Sequence, residues 1–173
     1  DLVCVQGRED SERMIGLGAR PERVHVMGTA KYDEAAAAGA VLPPTDVLRS
    51  AGFPVDAILL VGGSTWPGEE TVLLDLYCRL QAAHPRLRLV LVPRHAERAA
   101  EVAAEIEKAG LRGVRRSLLG GAAGAPAPAE VLLVDTTGEL KSFYAAADIV
   151  FVGKSLTQHG GQNIIEPAAL GKP

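Results

Sequence analysis

The sequence predicts an α/β fold, a Rossmann-like parallel sheet with helices on both faces. Three observations lead there. Short continuous apolar runs recur at 57–61, 87–92, 131–134 and 149–152, and segments of helical character separate them. Strands apolar on both faces belong to a sheet covered on both sides, which is how parallel strands are buried. Glycines and polar residues follow directly on the ends of these runs, where ligands bind in such sheets.

The elements follow in order. Leu2 to Gln6 reads as a strand, Ser11 to Leu17 as a short helix ending near Gly18, and Val24 to Met27 as a second strand closed by Gly28. Residues 34–56 carry an alanine run, Pro43-Pro44 and a short helix over Thr45 to Ala51, the pattern of a linker. Ala57 to Val61 is a strand followed by the loop Gly62-Gly63-Ser64-Thr65. A helix is expected from Pro67 to about Ala83, with Glu69-Glu70 near its positive end. Next come a strand at Leu87 to Val92, a helix at Ala96 to Ala109, and a Gly/Ala/Pro-rich loop from Ser117 to Ala129. Val131 to Val134, Glu139 to Ala146, Ile149 to Val152 and Ile164 to Leu170 read as strand, helix, strand and helix. Three regions result: 1–33, a linker over 34–56, and a main domain over 57–173.

Composition excludes several classes. The 173 residues are 47% hydrophobic with a formal net charge of −3, so no basic excess points to nucleic acid. Cys4 and Cys78 make neither a disulfide framework nor a metal-ligand pair. No apolar run approaches the roughly 20 residues of a membrane span. Gly153-Lys154-Ser155 imitates the end of a P-loop, but Asp148 stands where that motif requires glycine. Asp1 leads straight into an apolar run, and Gly171-Lys172-Pro173 is a helix stop normally followed by a strand. The chain therefore reads as an internal piece, truncated at both ends.

The segment Gly160-Gly161-Gln162-Asn163-Ile164-Ile165-Glu166 has the layout of a nucleotide-sugar site: strand, glycine loop, then a helix opening with a carboxylate. Glycines admit a phosphate to the backbone, and the carboxylate can accept from ribose hydroxyls. Asn163 and Glu166 fit a helix cap and its capping-box partner equally well. Gly63, Ser64 and Thr65 fit an oxyanion cradle or a tight turn. Arg94 and His95, at the end of a buried strand, fit a phosphate clamp or a charged surface pair. Asp135 and Thr137 are cap candidates, and Gly138 fits a close approach of ligand. Lys31 fits either a substrate contact or a solvated turn. Arg112, Arg115 and Arg116 read as a solvated face.

Taken in order, the motifs resemble the 3-deoxy-D-manno-octulosonic acid (Kdo) transferases. The resemblance is carried by Gln6 to Arg13, Gly28 to Asp33, Gly63-Ser64-Thr65-Trp66-Pro67-Gly68-Glu69-Glu70 and Pro93-Arg94-His95-Ala96-Glu97-Arg98. It continues through Asp135-Thr136-Thr137-Gly138-Glu139-Leu140, Phe151 to Leu156, Gly160 to Asn163 and Glu166-Pro167-Ala168-Ala169. It implies a two-domain GT-B glycosyltransferase. Residues 1–33 would end the acceptor domain, and 57–173 would form an incomplete donor-binding domain. The implied reaction is inverting transfer of Kdo from CMP-Kdo to a lipid A precursor, with no metal and no cofactor. The implied setting is the membrane surface at the cytoplasmic face of the bacterial inner membrane.

On this resemblance Ser64 and Arg94 face the phosphate, Asn163 and Glu166 hold the ribose or the donor, and His95 and Gly138 line the pocket. The catalytic base would lie upstream of Asp1, leaving the isolated piece inactive in transfer. Trp66, Lys154 and Gln162 depart from the family pattern, where His, Gly and His are expected, as do Ile164 and Ile165. Another GT-B nucleotide-sugar transferase and a non-catalytic nucleotide-binding domain are the competing readings.

Overall fold

A computed structural model describes residues 1–30, 41–119, 128–157 and 160–173. The chain divides into two compact units, Asp1–Gly39 and Ala40–Pro173. In the first, β1 (Val3–Val5) and β2 (Val24–Val26) pair in parallel, with helix α1 (Arg8–Gly16) between them in sequence. Helix α1 starts earlier than the apolar pattern suggests. Gly7 is its extended N-cap, and Glu9 and Asp10 occupy the first turn, where the helix dipole favours negative charge.

The second unit begins with α2 (Thr45–Ser50). It continues through β3 (Ile58–Thr65), α3 (Glu69–Leu80), β4 (Leu87–Pro93), α4 (Ala99–Lys108) and β5 (Gly113–Arg115). It closes with β6 (Val131–Leu133), α5 (Leu140–Ala146), β7 (Ile149–Val152) and α6 (Ile165–Ala169). The strands form one parallel sheet in the order β5-β6-β4-β3-β7.

Alternation along the strands builds two cores. Leu60, Leu89, Leu91, Val131 and Leu133 pack against Leu73, Leu74 and Tyr77 of α3 and Val102 and Ile106 of α4. Leu59, Val61, Val90, Val92, Leu132 and Val134 pack on the opposite face with Phe143 and Tyr144 of α5. Each buried aliphatic side chain contributes about 1.5–3 kcal/mol.

Several elements differ from the sequence reading. Ala51 and Phe53 belong to the second core, and the Ala129 N–H donates to the Ala51 carbonyl at 3.0 Å. Residues 45–53 are therefore part of the sheet domain's packing rather than linker. Strand β3 runs on through Gly62, Gly63 and Thr65 instead of ending at Val61. Pro67 lies in a turn, and α3 begins only after Gly68, whose φ of 89° makes the left-handed N-cap. The edge strand β5 was not anticipated. Its Gly113 leaves room for Ile106, whose Cγ2 would sit 2.8 Å from an added Cβ. Of the expected 117–129 loop, residues 120–127 lie outside the described residues.

The helices that follow β3 and β7 take opposite faces of the sheet. Helix α3, after β3, covers the first core; α6, after β7, is followed by Leu170 packed into the second. The carboxyl ends of β3 and β7 are therefore the topological switch point of the sheet, where ligands bind in such folds.

Candidate functional site

The end of β3 sets the floor of this edge. Its register with β4 shifts between Gly63 and Thr65, so Ser64 is an extra residue there, with φ at +52°. A non-glycine residue in the left-handed region costs about 1 kcal/mol. The pairing on both sides holds it: the Arg94 N–H donates to the Thr65 carbonyl at 3.0 Å, and the Gly153 N–H to the Gly63 carbonyl at 2.8 Å. Ser64 is half-buried, and its hydroxyl has no partner among the described residues.

Gly63 and Thr65 have structural duties. A Cβ on Gly63 would lie 2.1 Å from the Tyr144 hydroxyl, and one on Gly62 would lie 2.6 Å from Leu73 Cδ1. The paired glycines let helices on both faces approach the strand, so Gly63 is required by packing whatever binds. Thr65 is fully buried, and its hydroxyl donates to Glu70 Oε1 at 2.8 Å. Its side chain is withdrawn from any ligand, a correction to its place among the donor-site candidates.

Two glutamates that the sequence reading placed merely near the helix dipole turn out to organise the edge. Glu69 is completely buried. Its carboxylate accepts four backbone N–H groups: Trp66 at 2.9 Å, Lys154 at 2.9 Å, Ser155 at 2.8 Å and Leu156 at 3.0 Å. Burial pushes its pKa up, but these donors outweigh burial and hold it below the ordinary carboxylate range. Glu70, also completely buried, accepts from Thr65 and from Arg98 Nη1 at 2.8 Å. Burial works against the charged Arg98, but Glu101 and Glu70 together hold it protonated. A signal for both was present: Glu69 and Glu70 share a helical face with Leu73, Leu74 and Tyr77, so a core-facing stripe begins with two carboxylates.

Arg94 and His95 follow β4 and are exposed. The Arg94 guanidinium has no partner among the described residues. His95 meets the Trp66 ring edge-on, with centroids 5.5 Å apart, and its Nδ1 lies 3.4 Å from Glu97. Lys154 follows β7, and its Nζ lies 5.4 Å from the Trp66 ring centroid. The Trp66 indole N–H is buried without an acceptor among the described residues.

Beyond β7 the chain turns back. Gly160 and Gly161 have φ of 106° and 62°, while the Gly161 and Gln162 N–H groups donate to the carbonyls of Lys154 and Gly153. These N–H groups are committed within the protein, so the glycines serve the turn, and what Gln162 offers a ligand is its half-buried side chain. Asn163 Oδ1 accepts the Ile165 N–H at 2.9 Å in the turn that leads into α6, whose N-cap is Ile164, and no capping box with Glu166 forms. Glu166 is left half-buried without a hydrogen-bond partner among the described residues. Burial, and then the charge of Glu166, push the Tyr144 hydroxyl well above its ordinary pKa, so it stays protonated.

Gly138 follows β6 in an exposed turn with φ of 85°. Asp135 does not cap α5. It accepts from Ser117 N–H at 2.8 Å, Ser117 Oγ at 2.6 Å and Arg115 Nε at 2.9 Å. Burial raises its pKa, but these bonds prevail and lower it. Arg116 pairs with Glu139 at 3.0 Å and Arg112 lies 3.7 Å from Glu130, so this arginine face is ion-paired rather than merely solvated. Lys31 lies outside the described residues. Among those described, no group of His, Cys, Asp and Glu could hold a metal ion.

The sheet and its switch point define a doubly wound domain of the nucleotide-sugar transferase kind, the C-terminal half of a GT-B fold. No family model matches the chain. It is 38% identical over 177 residues to the 3-deoxy-D-manno-octulosonic acid transferase of Bordetella pertussis, covering 100% of this chain and 39% of that protein. The enzyme of the same name from Haemophilus influenzae is 35% identical, covering 99% of this chain and 39% of its relative. The crystal structure of the C-terminal CMP-Kdo binding domain of WaaA from Acinetobacter baumannii superposes with a TM-score of 0.62. It is 31% identical over 75% of this chain and 69% of that one. The chain belongs to the Kdo transferase family. It spans about two fifths of the length of the curated relatives it matches.

Proposed function

We propose that this chain supplies the donor site of an inverting transferase that moves Kdo from CMP-Kdo to a lipid A precursor. The observation that carries the reading is the carboxyl edge of the sheet. The Ser64 hydroxyl, the Arg94 guanidinium and the Glu166 carboxylate stand there without partners among the described residues, in a chain akin to a CMP-Kdo binding domain. Arg94 and Ser64, on adjacent strands about 4.8 Å apart, suit the two sides of one phosphate. Glu166 suits the ribose hydroxyls, with Asn163 holding the turn that presents it. His95 and Gly138 border the pocket.

Residues 1–33 would belong to the acceptor-binding half, which carries the catalytic base of the whole enzyme; this piece alone would bind donor without transferring sugar. No described helix is long and apolar enough to cross a membrane. A lipid acceptor would place the whole enzyme's work at the cytoplasmic face of the inner membrane.

The test is calorimetric titration of CMP, with UMP as control, into the chain and into a folded Glu166→Ala variant. Selective CMP binding that the variant loses is the expected result. Failure of the full-length protein to bind either nucleotide would overturn the reading.

A further inference from the structure

Lys154 stands apart from every other cation at this edge. Its φ of +63° places a long side chain in backbone geometry that favours glycine. It is half-buried, and its ammonium meets no carboxylate among the described residues, only the Trp66 ring at 5.4 Å. The backbone beneath this pair is fixed by one group. Glu69 Oε2 accepts both the Trp66 N–H and the Lys154 N–H, each at 2.9 Å. The ring that carries the cation and the residue that supplies it are thus fastened to the same oxygen, and His95 packs edge-on with the same ring.

Folding alone favours glycine at position 154, because glycine would adopt this geometry without strain and would still donate its N–H to Glu69. An ammonium over an aromatic face keeps its charge available to a further anion. The strand order β4-β3-β7 puts Arg94 and Lys154 on either side of the end of β3, so the two cations flank the Ser64 bulge.

We propose that Lys154, seated on Trp66, binds an anionic oxygen of the sugar-nucleotide donor and forms with Arg94 a two-cation cradle across the end of β3. The inference rests on the donor-site reading above and adds a specificity-determining residue to it. A sugar-acid donor carries two such anions, the phosphodiester and the sugar carboxylate, and the two ligands of the test separate them.

CMP and freshly prepared CMP-Kdo are titrated into the wild-type chain, Lys154→Gly and Lys154→Arg, with melting temperatures recorded for all three. Lys154→Gly is expected to weaken donor binding by about tenfold while its melting temperature stays level or rises. Lys154→Arg is expected to stay within about threefold of wild type, since it keeps the charge. Weakening of both ligands assigns Lys154 to the phosphate; weakening of CMP-Kdo alone assigns it to the carboxylate. Wild-type affinity of Lys154→Gly for both ligands overturns the inference and leaves the donor reading standing. A wild-type chain that binds neither ligand, when the full-length protein also binds neither, removes both together.

Discussion

The two glutamates that open α3 and the cations that ring the same edge make opposite use of charge. Glu69 and Glu70 are wholly buried, and every acceptor direction they need is met from inside the protein. Among the described residues, exposed Arg94 lacks a partner and Lys154 has only an aromatic face. The carboxylates complete the fold, and the cations are left over for something that arrives. Charged residues at one sheet edge thus divide into those whose loss unfolds the edge and those whose loss empties it.

The sharpest way to break the contrast is Glu70→Ala. It leaves Arg98, only 12% exposed, beside Glu101 alone and strands the Thr65 hydroxyl. Removing one partner of a buried pair costs roughly 3–5 kcal/mol, and urea unfolding should show a loss of that size. Glu69→Gln is next. An amide cannot accept all four N–H groups, and a loss of about 2 kcal/mol is expected, together with faster hydrogen exchange at 154–156.

Glu69 also gives the comparison a pH axis. Its pKa is lowered on folding, so the stabilisation is complete above its unfolded value, near 4.5. It is lost as pH falls through the lower folded value. Stability measured from pH 6 downward should drop below about pH 4.5, and Glu69→Gln should flatten that drop. Asp135, lowered in the same way, leaves a residual slope.

Asn163→Ala sits between the two classes, because its side chain already holds the Ile165 N–H. About 1 kcal/mol of stability should go with it, alongside any loss of nucleotide affinity. Arg94→Ala should have the smallest effect on folding, within about 0.5 kcal/mol, while CMP affinity falls about tenfold. A large loss of stability in Arg94→Ala would place that residue with the glutamates and undo the distinction.

The sequence was most informative where burial is symmetrical. Strands β4 and β6 are read to within about a residue, because a strand covered on both faces is largely apolar along its length, and β7, half-exposed at the sheet's edge, is read from its apolar run alone. Strand β5 escaped because a three-residue edge strand reading Gly-Val-Arg carries no such run. The end of β3 escaped for a different reason. Glycine reads locally as a loop residue, whereas Gly62 and Gly63 are small because Leu73 and Tyr144 press on them from opposite faces. Of the candidate site, the sequence places Ser64, Arg94 and His95 at strand ends and the structure has them there, while Asn163 holds the Ile165 N–H in the turn before α6. Glu69 was not legible as an organiser, since three of its four donors lie 85 to 87 residues away in sequence.

Consecutive backbone N–H groups facing one point form a concavity that would ordinarily capture a free anion. Here the N–H groups of Lys154, Ser155 and Leu156 already enclose a tethered one, the Glu69 carboxylate. A covalently attached occupant has an effective concentration that a dissolved phosphate would find hard to match. The loop is therefore ordered before any ligand arrives, and the entropy of fixing it is charged to folding rather than to binding. What reaches this edge later meets side chains already in position, and the selectivity of the edge falls to them rather than to the backbone.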